Sequence, residues 1–132
     1  MPSLIKDLFI FSKGGVPIID LYKTGDLDKS FLGGFISAIE SFSRKISGCE
    51  IKGFKVGKYK FCLVHCFDNN VTIVVKAPFE AKKKKIENMC SVVEKIFEEI
   101  FDLEEIKNWN GDINIFKRFK TKLELYFKMG SL

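Results

Sequence analysis

Tyr59-Lys60-Phe61-Cys62-Leu63-Val64-His65-Cys66-Phe67-Asp68-Asn69-Asn70-Val71-Thr72-Ile73-Val74-Val75-Lys76-Ala77 reads as two strands joined by a tight turn. The first half alternates Tyr59, Phe61, Leu63, His65 and Phe67 against Lys60, Cys62, Val64 and Cys66, which is the two-residue period of a strand. Asp68-Asn69-Asn70 supplies turn chemistry, and Val71 to Ala77 follows as the most hydrophobic strand of the chain. Just upstream, Ile51 to Val56 forms a third strand, closed by a turn at Gly57-Lys58. Connections this short predict an antiparallel meander.

Working outward, the period changes from two to that of a helix. Phe31, Phe35, Ile39, Phe42 and Ile46 recur at helical spacing, Leu32 and Ile36 widen the stripe, and Ser47-Gly48 ends it. This amphipathic helix starts from Leu27, with a cap expected at Asp26 or Asp28, and its apolar stripe reads as core. Gly33-Gly34 inside it costs about 1 kcal/mol per glycine relative to Ala, which predicts a close approach of the helix backbone to the sheet. Before the helix, residues 4–11 read as a buried strand, Ser12-Lys13-Gly14-Gly15 as a glycine turn, and Val16 to Tyr22 as the returning strand. Pro17 cannot donate to a ladder, so that returning strand belongs at a sheet edge.

Downstream, Pro78 opens a long helix with an inner face of Ile86, Met89, Val93, Ile96, Phe97 and Ile100, broadened by Val92, Phe101 and Leu103. Asn108-Trp109-Asn110-Gly111-Asp112 breaks it, and Asp112 caps a third helix in which Ile113, Phe116, Phe119 and Leu123 share a face. The order is β-β-α-β-β-β-α-α. The predicted fold class is α+β, an α/β sandwich with one five-stranded, largely antiparallel sheet. One helix covers one face and two cover the other. Two covered faces account for strands that are apolar almost throughout. With no repeat and no linker, residues 1–132 read as a single domain.

Composition narrows the function. The chain is 46% hydrophobic with 14 Phe, enough for a core, and 30% charged with both signs interspersed, which excludes a disordered tail. No apolar run approaches the roughly 20 residues that span a bilayer, and the N-terminus shows no secretory pattern. A cytoplasmic protein, at most peripheral to a membrane, is therefore expected. The four cysteines (Cys49, Cys62, Cys66 and Cys90) are expected as free thiols. The net charge is +5, yet Arg44 and Arg118 are the only arginines among 22 basic residues, and there is no Gln. Nucleic-acid readers favour the planar Arg fork, so nucleic acid is not an expected partner.

No motif supplies a reaction. Gly53-Phe54-Lys55-Val56-Gly57-Lys58-Tyr59 has the wrong glycine spacing for a phosphate loop and precedes a strand, so it reads as a hairpin turn. Cys62 and Cys66 lie about 13 Å apart on a strand, too far for one zinc ion, and His65 points to the opposite face. That geometry also separates His65 from Cys66 as base and nucleophile. Glu98-Glu99 and Glu104-Glu105 read as solvated helix faces. No catalytic residue, cofactor or metal site is expected. Lys82-Lys83-Lys84-Lys85 stands out, because the start of a helix disfavours cations. The run reads as a solvated helix start or as a contact for an acidic partner or anionic membrane surface.

The first hairpin Leu8-Phe9-Ile10-Phe11-Ser12-Lys13-Gly14-Gly15-Val16-Pro17-Ile18, the helix Phe31-Leu32-Gly33-Gly34-Phe35-Ile36-Ser37-Ala38-Ile39, the meander and the long closing helix together resemble the longin, or SNARE-like, fold. The likeness runs over about residues 4–128 and is particularly to stand-alone prokaryotic longin-like proteins; roadblock domains are related but usually begin with a helix. The resemblance implies a longin/profilin-like architecture and a non-enzymatic interaction module. Such a module pairs with itself or with another longin or roadblock-type domain, and regulates small GTPases in membrane-associated or vesicle-trafficking complexes. No SNARE helix follows at Gly130-Ser131-Leu132, which speaks against a fusion role. The candidate contacts are the edge strand, through Val16, Ile18, Asp20 and Tyr22, and the outer face of the first helix. The alternative is a small-molecule or lipid sensor with a pocket between sheet and helices.

Overall fold

The structure, a computed structural model, describes residues 5–21, 28–48 and 50–130, with side chains to Tyr126. Its strands are β1 (Asp7–Ser12), β2 (Val16–Asp20), β3 (Gly53–Val56), β4 (Tyr59–Cys66) and β5 (Val71–Pro78). Helix α1 (Lys29–Ser47) lies between β2 and β3; α2 (Lys83–Ile100), α3 (Leu103–Lys107) and α4 (Phe116–Gly130) follow β5. The strands form one sheet in the order β2-β1-β5-β4-β3, and every neighbouring pair is antiparallel. The predicted α+β sandwich is the observed fold.

Strand alternation sorts the core into two layers. Phe9, Phe11, Phe61, Leu63 and Val74 face α1 and meet Leu32 and Ile36. Leu8, Ile10, Val64, Cys66, Ile73 and Val75 face the other way, onto Ile86, Met89, Val93 and Phe97 of α2 and Phe116, Phe119 and Leu123 of α4. On that second side Phe97, Phe101, Phe116 and Phe119 form a ring cluster, with neighbouring centroids between 4.9 and 6.4 Å. Each such pair contributes about 0.5–1.5 kcal/mol beyond simple burial.

Caps and breaks differ in detail from the expected ones. Asp28 caps α1, accepting the Ser30 amide at 2.7 Å, and Gly48 closes the helix at φ +72°. Pro78 ends β5 instead of opening α2, which starts at Lys83. The long helix stops at Ile100, where Phe101 turns extended and Asp102 with Glu105 builds a reciprocal capping box for α3. Asp112 caps as expected, but it starts a short 3-10 turn (Ile113–Ile115), and Ile113 is exposed. The β4–β5 turn puts Phe67, Asp68 and Asn69 all at positive φ. Asp and Asn tolerate this region, whereas Phe does not. Phe67 is held there by its amide bond to the Glu98 carboxylate at 3.0 Å and by its ring against Phe97.

The two helical glycines separate cleanly. A Cβ on Gly33 would run into the carbonyl oxygen of Gly15, far inside contact distance, whereas one on Gly34 would meet open space. The close approach is therefore real, but it is to the turn of the first hairpin and it involves Gly33 alone. Gly33→Ala is expected to destabilise the fold by about 1–3 kcal/mol, because rigid backbone must move. Gly34→Ala should be neutral or stabilise by up to about 1 kcal/mol. Urea unfolding of the two variants tests the contrast, and equal effects would refute it.

Candidate functional site

Helix α1 carries more apolar surface than the sheet can cover. At about 100° per residue, Leu32 and Ile36 lie roughly 90° around the axis from the mean direction of Phe31, Phe35, Phe42 and Ile46. The sheet takes only the first pair, which are 4% and 1% exposed. Phe31 is 72% exposed, Phe42 66%, Ile46 68% and Phe35 43%. The stripe expected to be core is thus mostly on the surface, on the side of α1 that leans toward β3. Phe35 marks that direction by meeting Phe54 of β3 edge-on at 5.5 Å, and Phe54 in turn stacks on Phe61 at 4.9 Å.

Beside the stripe, β3 is a four-residue edge strand whose only sheet neighbour among the described residues is β4. Its Val56 is also exposed. An apolar helix face next to an open strand edge is the arrangement a second sheet extends, with backbone bonds giving register and the helix stripe giving buried area. The opposite edge is less suited. Pro17 interrupts β2, and its pairing with β1 slips between Ile10 and Phe11. Of the four edge-strand candidates, Val16 is exposed, Ile18 is buried toward the α2 and α4 layer, and Asp20 is half-buried beside Asp7. Tyr22 lies outside the described residues.

Asp7 is the other unusual group on the β1–β2 side. It is 2% exposed, and burial together with the hydrogen bond and charge of Asp20 pushes its carboxyl up to about 8; the Leu8 amide and Lys76 act in the opposite sense. Asp20 Oδ1 is buried and finds no partner among the described residues.

His65 and the cysteines fall on opposite faces, as strand alternation requires. His65 Nε2 meets Glu40 Oε2 of α1 at 2.9 Å, and Nδ1 lies 3.6 Å from Glu50 Oε2. Glu50 also accepts from Asn69 at 2.5 Å. Glu40, Glu50 and Asn69 border a polar cleft of about 480 Å³ between the first hairpin turn, α1 and the β4–β5 turn. Lys13, Arg44, Glu40, Glu50 and Asp68 line it, so its charges largely compensate one another. An apolar groove of about 420 Å³ runs between α2 and α4, past Val92, Ile96, Leu125 and Tyr126. The polar cleft opens between α1 and the end of the sheet, where Thr72 of β5 lines it, whereas the apolar groove lies between two helices.

Cys62 of β4 and Cys90 of α2 are placed against each other, their Cα atoms 7.2 Å apart, which is wider than a disulfide ordinarily spans. Register puts Cys62 on the α2 side of the sheet, and Cys90 occupies the part-buried flank of α2 above it. Cys66 is free and buried, and burial pushes its thiol well above the usual range, so it is no nucleophile. Cys49 lies outside the described residues. The acidic pairs have structural work: Glu98 holds Phe67, Glu99 lies 3.9 Å from Lys122, and Glu105 completes the α3 cap. Among the described residues no three His, Cys, Asp or Glu side chains are placed to hold a metal ion. Nor is any helix among them long and apolar enough to cross a membrane.

No family of known proteins matches the sequence, and no curated protein matches it either. Solved structures do match the fold. Myxococcus xanthus MglB is 19% identical, with a TM-score of 0.52 over 72% of this chain and 85% of that one. A Roadblock/LC7 domain from Streptomyces avermitilis is 12% identical, with a TM-score of 0.57 over 73% of this chain and 84% of its own. The chain therefore has a longin/roadblock-like fold.

Proposed function

We propose that the protein is a non-enzymatic, dimerising platform that regulates a small GTPase. The observation that carries this reading is the exposed stripe Phe31, Phe35, Phe42 and Ile46 on α1, continuous with the open edge of β3. Large aromatics left at 43–72% exposure in one row are a liability to a lone domain and an asset to an interface. The fitting occupant is a second copy of the chain or another domain of the same fold. Two such faces related by a twofold axis would bring stripe against stripe and edge against edge. The longin/roadblock-like fold supports the GTPase side of the reading.

Molar mass by light scattering tests the dimer, and repetition with candidate small GTPases, nucleotide-free and GTP-bound, tests the partner. A dimer whose complex depends on nucleotide state is expected. A monomer at every concentration, indifferent to every GTPase, would overturn the reading.

A further inference from the structure

The positive charge of the protein is concentrated at one end. Residues 55–60 and 76–85 contain Lys55, Lys58, Lys60, Lys76 and the run Lys82 to Lys85, against the single acid Glu80. They carry +7 in a chain whose net charge is +5, so the remainder is at −2. The fold brings the two segments together. Tyr59 pairs with Pro78, Lys60 with Ala77, and the Phe79 amide donates to the Lys58 carbonyl at 2.8 Å. Lys60 Nζ donates to the Ala81 carbonyl at 3.0 Å, directly before the four-lysine run. Among these lysines stands an exposed apolar side chain, Phe79, at 46%. The ammonium groups of Lys55 and Lys60 each sit 5.4 Å from the Phe79 ring centroid.

Folding does not explain the run. Lys82 occupies the N-cap of α2 without a side-chain cap bond, and the first turn holds no acid. Four cations are thus set against the positive end of the helix, and none makes an ion pair with a described residue. We infer that this pole docks on an anionic phospholipid surface, with the lysines over the headgroups and Phe79 at the boundary with the acyl chains. Charge complementarity selects an acidic surface, and the exposed Phe79 between Lys55 and Lys60 selects lipid over nucleic acid. The pole has no arginine, the residue suited to reading phosphates in a fixed geometry. The inference does not depend on the dimer or on a GTPase.

Sedimentation of the full chain with phosphatidylcholine vesicles, with and without about 30% phosphatidylserine, tests it. Binding only to the anionic vesicles is expected, falling as salt is raised from about 0.05 to about 0.5 M. Each lysine near the surface should be worth about fivefold in partitioning. Lys82→Asp changes the charge by two and should lower binding by about 10-fold or more. The same substitution supplies the missing cap and should raise the thermal midpoint by roughly 3–6 °C, which separates lost binding from lost folding. Phe79→Ser should weaken binding without altering its salt dependence. Equal binding to neutral vesicles, no binding to anionic vesicles at low salt, or a Lys82→Asp protein that binds like the parent would each overturn the inference. So would displacement by an oligonucleotide that binds more tightly than the vesicles at equal phosphate concentration, since that would assign the pole to nucleic acid.

Discussion

Asp7→Asn is expected to stabilise the protein by on the order of 3 kcal/mol between pH 7 and 8, and to flatten its stability across the preceding pH units. Asp7 is buried at the start of β1, directly opposite Lys76 of β5. Burial first, then the hydrogen bond and charge of Asp20, raise its carboxyl from 3.8 to about 8. The sign follows from proton binding. Between these two values the folded protein holds a proton that the unfolded chain has released, so unfolding becomes easier as pH rises. The stability linked to the protonated carboxyl is complete below about pH 4 and is lost as pH climbs through about 8. Asn has no proton to lose. Its amide can donate toward Asp20, and its oxygen can keep the 2.8 Å bond from the Leu8 amide. Asp7→Leu keeps the neutrality but leaves Asp20 without its donor, so it should recover less. Urea unfolding between about pH 4 and pH 9 measures the slope directly. Parallel curves for the parent and Asp7→Asn would show that Asp7 does not titrate in this window.

The origin of that effect was invisible in the sequence, where Asp7 and Asp20 are two ordinary strand-end acids thirteen positions apart. Only pairing of β1 with β2 brings them together. The architecture was far more legible, because it depends on local periods. Alternation through Tyr59 to Cys66 placed His65 on one face and Cys62 and Cys66 on the other, and Pro17 placed β2 at an edge. Where the reading failed, the missing information was what a surface packs against. Phe31, Phe42 and Ile46 show helical period whether a sheet or a second chain covers them, and the sequence was read as if the sheet did. Gly33 and Gly34 are likewise indistinguishable as letters, and differ because only one rotates toward Gly15. Cys62 and Cys90 meet because β4 lies under α2, a contact across 28 positions that no spacing rule supplies. The lysine run was read as a solvated helix start or an anionic-surface contact of one helix alone; the hairpin that folds beside it makes it half of a larger pole.

The double substitution Phe31→Ser with Phe42→Ser should abolish dimerisation while leaving the domain as stable as before. Both rings are mostly solvated in the single chain, at 72% and 66% exposure, so removing them costs the fold within about 0.5 kcal/mol. In a dimer the same rings would be buried once in each protomer. At about 1.5–3 kcal/mol per buried large side chain, four lost rings weaken association by at least about 10⁴-fold. Ile36→Ala supplies the contrasting case from the same helix. Ile36 is 1% exposed against the sheet, so its loss should cost the monomer about 2–5 kcal/mol and affect association only through folding. The two faces of α1 therefore respond oppositely: one set of substitutions changes molar mass and not the urea midpoint, the other changes the midpoint. Analytical ultracentrifugation beside urea unfolding reads both quantities. If the double variant unfolds early, the stripe belongs to the core of the monomer and the platform reading loses its carrying observation. If it stays folded and dimeric, the interface lies elsewhere, and α1 is not the face through which the copies meet.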